Sequence, residues 1–100
     1  MTREVEWSNR AIADIVDIIT YILTDSSRAA EGVSMRIRET GNALGHFATG
    51  HPGRIGGTYE KSVSGLPYII LYSLIDGDRS VSILRVIHSS RDWDAEQWPE

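Results

Sequence analysis

Tyr68-Ile69-Ile70-Leu71-Tyr72-Ser73-Leu74-Ile75-Asp76-Gly77-Asp78-Arg79-Ser80-Val81-Ser82-Ile83-Leu84-Arg85-Val86-Ile87-His88 is the stretch that decides the fold. Tyr68 to Ile75 is an almost unbroken apolar run, which suits a strand in the middle of a sheet with both faces covered. Asp76-Gly77-Asp78 is a hairpin signal, because Asp and Gly tolerate the left-handed backbone a tight reversal needs. Val81 to His88 then pairs back antiparallel. Strict alternation places Ile83, Arg85 and Ile87 on one face and Leu84, Val86 and His88 on the other.

Upstream, Gly65-Leu66-Pro67 is a turn and Thr58 to Val63 reads as a third antiparallel strand. Residues 48–57 carry Gly50, Pro52, Gly53, Gly56 and Gly57 and read as a loop. It is not a phosphate-binding loop, because such loops lead directly into a helix N-terminus and this one leads into a strand.

At the start of the chain, residues 3–7 alternate polar and apolar, giving a short strand with Val5 and Trp7 on one face. Ser8 follows as an N-cap, and Trp7 and Ile12 are placed for a hydrophobic staple. Ile12, Ile15, Val16, Ile19, Ile22 and Leu23 form the stripe of an amphipathic helix, while Asp14, Asp17, Thr20 and Thr24 read as its solvated face. Asp25-Ser26-Ser27 ends that helix and caps a second, whose weaker stripe runs through Ala30, Val33, Ile37 and Leu44. Gly41 in the second helix suggests a close approach to a neighbour. The expected architecture is α+β: a short N-terminal strand, an antiparallel helical hairpin, a three-strand antiparallel meander, and a short C-terminal helix or tail.

One hundred residues fit a single domain, residues 1–100, with one core. There is no cysteine, which removes disulfides and thiolate chemistry and makes the cytoplasm the expected compartment. The charged N-terminal residues are unlike a signal peptide, and Asp14 and Asp17 interrupt the apolar stretch after them, so no membrane association is expected. The net charge of −4 argues against direct, phosphate-driven nucleic-acid binding. Charge is uneven, however: −2 over residues 1–50, +2 over 51–91 and −4 over 92–100. A cationic central half can meet an acidic partner.

The candidate chemistry gathers at Arg85-Val86-Ile87-His88-Ser89-Ser90-Arg91-Asp92-Trp93. Arg85, set within an apolar strand, requires either an internal carboxylate or a face open to a ligand. His88 is either a satisfied structural residue or a general acid or base. Arg91 pairs locally with Asp92 or stands at the rim of a groove, with Trp93 closing the core or anchoring an interface. His46 and His51 lack the accompanying ligands of a metal site, and no cofactor is expected. No nucleophile elbow is present.

Four fragments, in order, carry a resemblance: Trp7-Ser8 opening a helix, Gly53-Arg54 leading to Gly57-Thr58-Tyr59-Glu60, Gly65 to Tyr72, and Ile83 to His88 followed by Arg91-Asp92-Trp93. Together they resemble the ParE/RelE superfamily of bacterial type II toxins, and the ParE branch more closely. The resemblance implies a RelE/ParE-like fold and a toxin neutralised by a cognate ParD-like antitoxin in a hetero-oligomeric complex. ParE-like members inhibit DNA gyrase without catalysis of their own, and the contact residues it implies for antitoxin or target are Arg54, Tyr59, Lys61, Arg85, Arg91 and Trp93. RelE-like members cut messenger RNA on the ribosome, and for that chemistry the chain offers Arg54, Lys61, Arg85 and His88, with Arg91 nearby. Tyr59 stands where ParE-like proteins often carry arginine, so one cationic contact is missing. A nontoxic homologue that keeps only the antitoxin groove is the third expectation.

Overall fold

The computed structural model describes residues 2–90, and within them the chain runs β1 (Glu4–Trp7), α1 (Asn9–Leu23), α2 (Ser27–Ala43), β2 (His51–Pro52), β3 (Tyr59–Ser62), β4 (Tyr68–Ile75) and β5 (Ser80–His88). The strands form one sheet in the order β1-β5-β4-β3-β2, antiparallel except that β1 lies parallel to β5. The meander is therefore as expected, and it gains a two-residue strand from the loop and a parallel flank from β1. The expected C-terminal helix or tail lies outside the described residues.

Local signals place most of these boundaries. Ser8 and Ser26 cap the two helices, their hydroxyls accepting from the backbone N–H of Ala11 at 3.0 Å and of Ala29 at 3.1 Å. The β4–β5 turn holds Asp76, Gly77 and Asp78 all at positive φ, between 58° and 66°. Asp and Gly adopt that region at least cost, which is why this tripeptide reverses the chain.

The core lies between the helical hairpin and the sheet: Ala11, Ile37 and Leu44 from the helical side meet Val63, Ile70, Tyr72, Val81, Ile83 and Val86. Gly41 brings α2 close to the sheet. A Cβ there would fall on the Trp7 indole and within 2.9 Å of Ile83 Cδ1. Trp7 also donates its indole N–H to the Asn42 side chain at 3.0 Å, tying β1 to α2. Trp7 thus lies against α2, and Ile12, its expected staple partner, is half exposed.

Two expectations change. The α1 stripe divides: Ile15 packs on the core, joined there by Ala11 and Ile18 from outside the stripe, whereas Ile12, Val16 and Leu23 are 48%, 55% and 52% exposed. The helix has a wider apolar arc than the sheet can cover. Strict alternation also fails in β5. Tyr72 pairs with Ile83 and Leu71 with Arg85, so β5 carries one extra residue, Leu84, in a bulge. Ile83 consequently shares the helix-facing side with Val86, not with Arg85 and Ile87.

Candidate functional site

β1 ends at Trp7, opposite Ile83, and from there on the outer margin of β5 is met by α1. Three backbone groups exposed there find partners on that helix or its cap. Ser8 N–H donates to Ile83 O at 2.9 Å, Ser8 Oγ donates to Leu84 O at 2.9 Å, and Val86 N–H donates to Asp14 Oδ2 at 2.9 Å. Arg85 completes the arrangement: its Nε donates to Asp14 Oδ2 at 2.7 Å and its Nη2 to Asp14 Oδ1 at 3.0 Å. This fork-to-carboxylate pair is nearly enclosed, with side-chain exposures of 11% for Arg85 and 13% for Asp14. Asp14, expected on a solvated face, is therefore the internal carboxylate that Arg85 requires. The helix carries it nearly two turns past the cap, where the end of β1 leaves room.

Beside this pair lies a cleft of about 460 Å³ lined by Asp14, Asp17, Ile18, Tyr21, Tyr68, Val86 and His88. Asp14, Asp17, Ile18 and Tyr21 come from successive turns of one α1 face. Tyr68 and His88 are cross-strand partners at the mouth of the β4–β5 hairpin, their rings edge to face at 5.5 Å. His88 Nδ1 accepts from Ser90 N–H at 3.2 Å and lies 2.7 Å from Ser90 Oγ. A backbone N–H can only donate, so the proton of the neutral ring belongs on Nε2.

The other cationic candidates are dispersed. Arg54 is half exposed; its backbone N–H donates to Glu60 Oε2 at 2.9 Å and its Nε lies 3.7 Å from the same oxygen. Glu60 is buried, and its carboxylate ties the loop to β3. Lys61 pairs across the sheet with Ile70, and Tyr59 with Tyr72, so both lie on the helix-facing side. Glu60 and Arg85 both pair with Leu71 on the opposite side. Tyr59 stacks on Tyr72 with ring centroids 5.5 Å apart. The Tyr72 hydroxyl donates to Thr49 O at 2.6 Å, and burial, then the neighbouring Tyr59, raises its pKa, with Arg3 opposing. The sheet thus separates Lys61 and His88 from Arg85 and Arg54. Arg91 and Trp93 lie outside the described residues.

Sequence reasoning missed the Asp17–Tyr21–Tyr68–His88 grouping. Only the i, i+4 spacing of Asp17 and Tyr21 hints at it. Among the described residues no group of His, Asp and Glu is placed to hold a metal ion, and no helix is long and apolar enough to cross a membrane.

An α+β domain with a helical hairpin packed on one face of a mostly antiparallel sheet has the plan of the small ParE/RelE toxins. Residues 5–93 match the family described as the ParE toxin of the type II toxin–antitoxin system parDE. The chain is 37% identical to the toxin candidate Y4kP of Sinorhizobium fredii, covering 91% of this chain and 93% of that one. It is 33% identical to the toxin RelE2 of Caulobacter vibrioides, covering 88% and 97%. The structure is similar to that of a chromosomal ParDE system from P. aeruginosa, with a TM-score of 0.78 at 20% identity over 87% of this chain and 96% of that one. A second likeness, to a RelBE2 toxin–antitoxin complex from Mycobacterium tuberculosis, has a TM-score of 0.59 at 22% identity over 88% and 99%. The chain belongs to the ParE toxin family, within the ParE/RelE superfamily of type II toxins.

Proposed function

We propose that this toxin acts by binding, with DNA gyrase as its target in the cytoplasm, and that a ParD-like antitoxin neutralises it in a hetero-oligomeric complex. The observation that carries this reading is the Arg85–Asp14 pair. Stabilising phosphate charge in a transition state needs a cation directed at the reacting oxygens, and here the Arg85 fork is engaged by Asp14 at 2.7 and 3.0 Å. His88 stands on the helix-facing side of the sheet and shares its cleft with the Asp17 carboxylate, a charge that repels a phosphate backbone. The half-exposed row of Ile12, Val16 and Leu23 on α1 supports an antitoxin helix docking by its apolar face. Arg54, Tyr59, Lys61, Arg91 and Trp93 are the remaining proposed contacts with antitoxin or gyrase.

The test is direct. Purified protein is expected to inhibit gyrase supercoiling or to trap cleaved DNA. Untouched gyrase, together with codon-phased cuts in translated messages after induction, would overturn the reading in favour of a RelE-like, ribosome-dependent ribonuclease. Absence of growth arrest without antitoxin would leave the nontoxic homologue.

A further inference from the structure

We propose that the cleft between α1 and the ends of β4 and β5 is a socket for one arginine side chain of a partner polypeptide. The guanidinium would pair with the Asp17 carboxylate and lie against the tyrosine rings. The cleft's own chemistry selects this occupant. Its volume, about 460 Å³, lies within the range of roughly 300–1,000 Å³ typical of ligand sites. Of its two carboxylates, Asp14 is satisfied: Oδ2 accepts from Arg85 Nε and Val86 N–H, and Oδ1 accepts from Arg85 Nη2. Asp17 has neither a hydrogen bond nor an ion pair among the described residues. Among the described residues the Asp17 charge therefore has no partner in the cleft.

The remaining lining favours a flat cation over other charged groups. Tyr21 is 76% exposed and stands one turn beyond Asp17, so its ring and that carboxylate face the same space. Tyr68 forms the opposite wall, held edge to face against His88, while Ile18 and Val86 supply an apolar lining suited to the methylene stem. A guanidinium is planar, forks onto carboxylates and stacks on aromatic faces, whereas an ammonium is compact and strongly hydrated. Among the described residues a phosphate facing Asp17 would find no free arginine or lysine in the cleft lining, and Arg85 beside it is engaged by Asp14. The inference is independent of which enzyme the toxin inhibits.

The experiment is an NMR titration of the isotopically labelled full chain with N-acetyl-arginine amide. Parallel titrations use the lysine amide, the neutral isostere citrulline amide, and AMP as a stacking nucleotide. Saturable shifts of the Tyr21, Tyr68 and His88 ring signals are expected with the arginine probe alone. Asp17→Asn should weaken them about tenfold, the loss of one charge-assisted contact, while Asp25→Asn leaves them unchanged. Asp17 and Tyr21 are both exposed, so Asp17→Asn and Tyr21→Leu should both fold, and the second should also weaken the shifts. The proposal is overturned by no saturable shift, by citrulline or lysine matching arginine, by tighter binding of AMP, or by wild-type binding in Asp17→Asn.

Discussion

Asp14 and Arg85 lie 71 positions apart in the chain and meet through two hydrogen bonds, with Asp14 also accepting the Val86 N–H. The pair joins α1 to β5 where β1 no longer reaches. Removing one member of a nearly enclosed ion pair strands the other charge. Asp14→Ala should therefore destabilise the fold by about 3 kcal/mol, read as a lower urea midpoint at unchanged slope. Asp14→Leu combined with Arg85→Met should recover most of that loss. A double variant that loses as much as the two single variants added together would show that the two residues act independently.

Ser8 holds both the first turn of α1 and the carbonyl of Leu84. Ser8→Ala should cost about 1–2 kcal/mol, towards the top of that range because two bonds are lost. Ser26→Ala removes only the cap of α2 and should cost less in the same denaturation assay.

Gly41 and Gly32 sit in the same helix and should respond in opposite directions to alanine. Gly32 has open space around it, so Gly32→Ala should stabilise by up to about 1 kcal/mol through helix propensity. Gly41→Ala would drive a methyl into Trp7 and Ile83 and should destabilise by about 1–3 kcal/mol. Thermal unfolding of the two variants side by side measures the contrast.

Tyr72 makes stability depend on alkaline pH. Burial raises its pKa above 10.0 in the fold, so the native state keeps a proton that the unfolded chain releases. Its contribution is complete below pH 10 and is lost as pH rises through the folded value. Tyr72→Phe should flatten this part of the stability profile; an unchanged slope above pH 10 would contradict it.

The half-exposed face of α1 should tolerate change without loss of fold. Val16→Asp is expected to leave the urea midpoint within about 0.5 kcal/mol of wild type while weakening capture of the co-expressed antitoxin at least tenfold. Undiminished capture would place the antitoxin elsewhere.

What was legible in the sequence was local. The 68–88 hairpin, the caps at Ser8 and Ser26 and the tight contact at Gly41 each announce themselves within a few residues. The 83–93 stretch also announced a charged arginine that needed a partner. The identity of that partner was not readable, because Asp14 has the spacing of a solvated helix face until the end of β1 fixes what lies opposite it. The cleft escaped for the same reason: Asp17 and Tyr21 meet Tyr68 and His88 only once α1 runs along the margin of β5. The wide apolar stripe of α1 misled in its own way, since periodicity reports that a face is apolar and not what covers it.

The extra residue at Leu84 bears on how this chain should be compared with its relatives. Facing along β5 is counted separately from each end, from Ser80 forward to Ile83 and from His88 back to Arg85, and the two runs differ in phase by one position. A related chain one residue shorter here can present the same side chains to its helices as this one does. A chain of equal length that lacks the bulge would turn its Arg85 equivalent towards the core. Alignments across this point should therefore be anchored on facing, with a gap placed at Leu84, before any arginine or histidine beyond it is taken as equivalent.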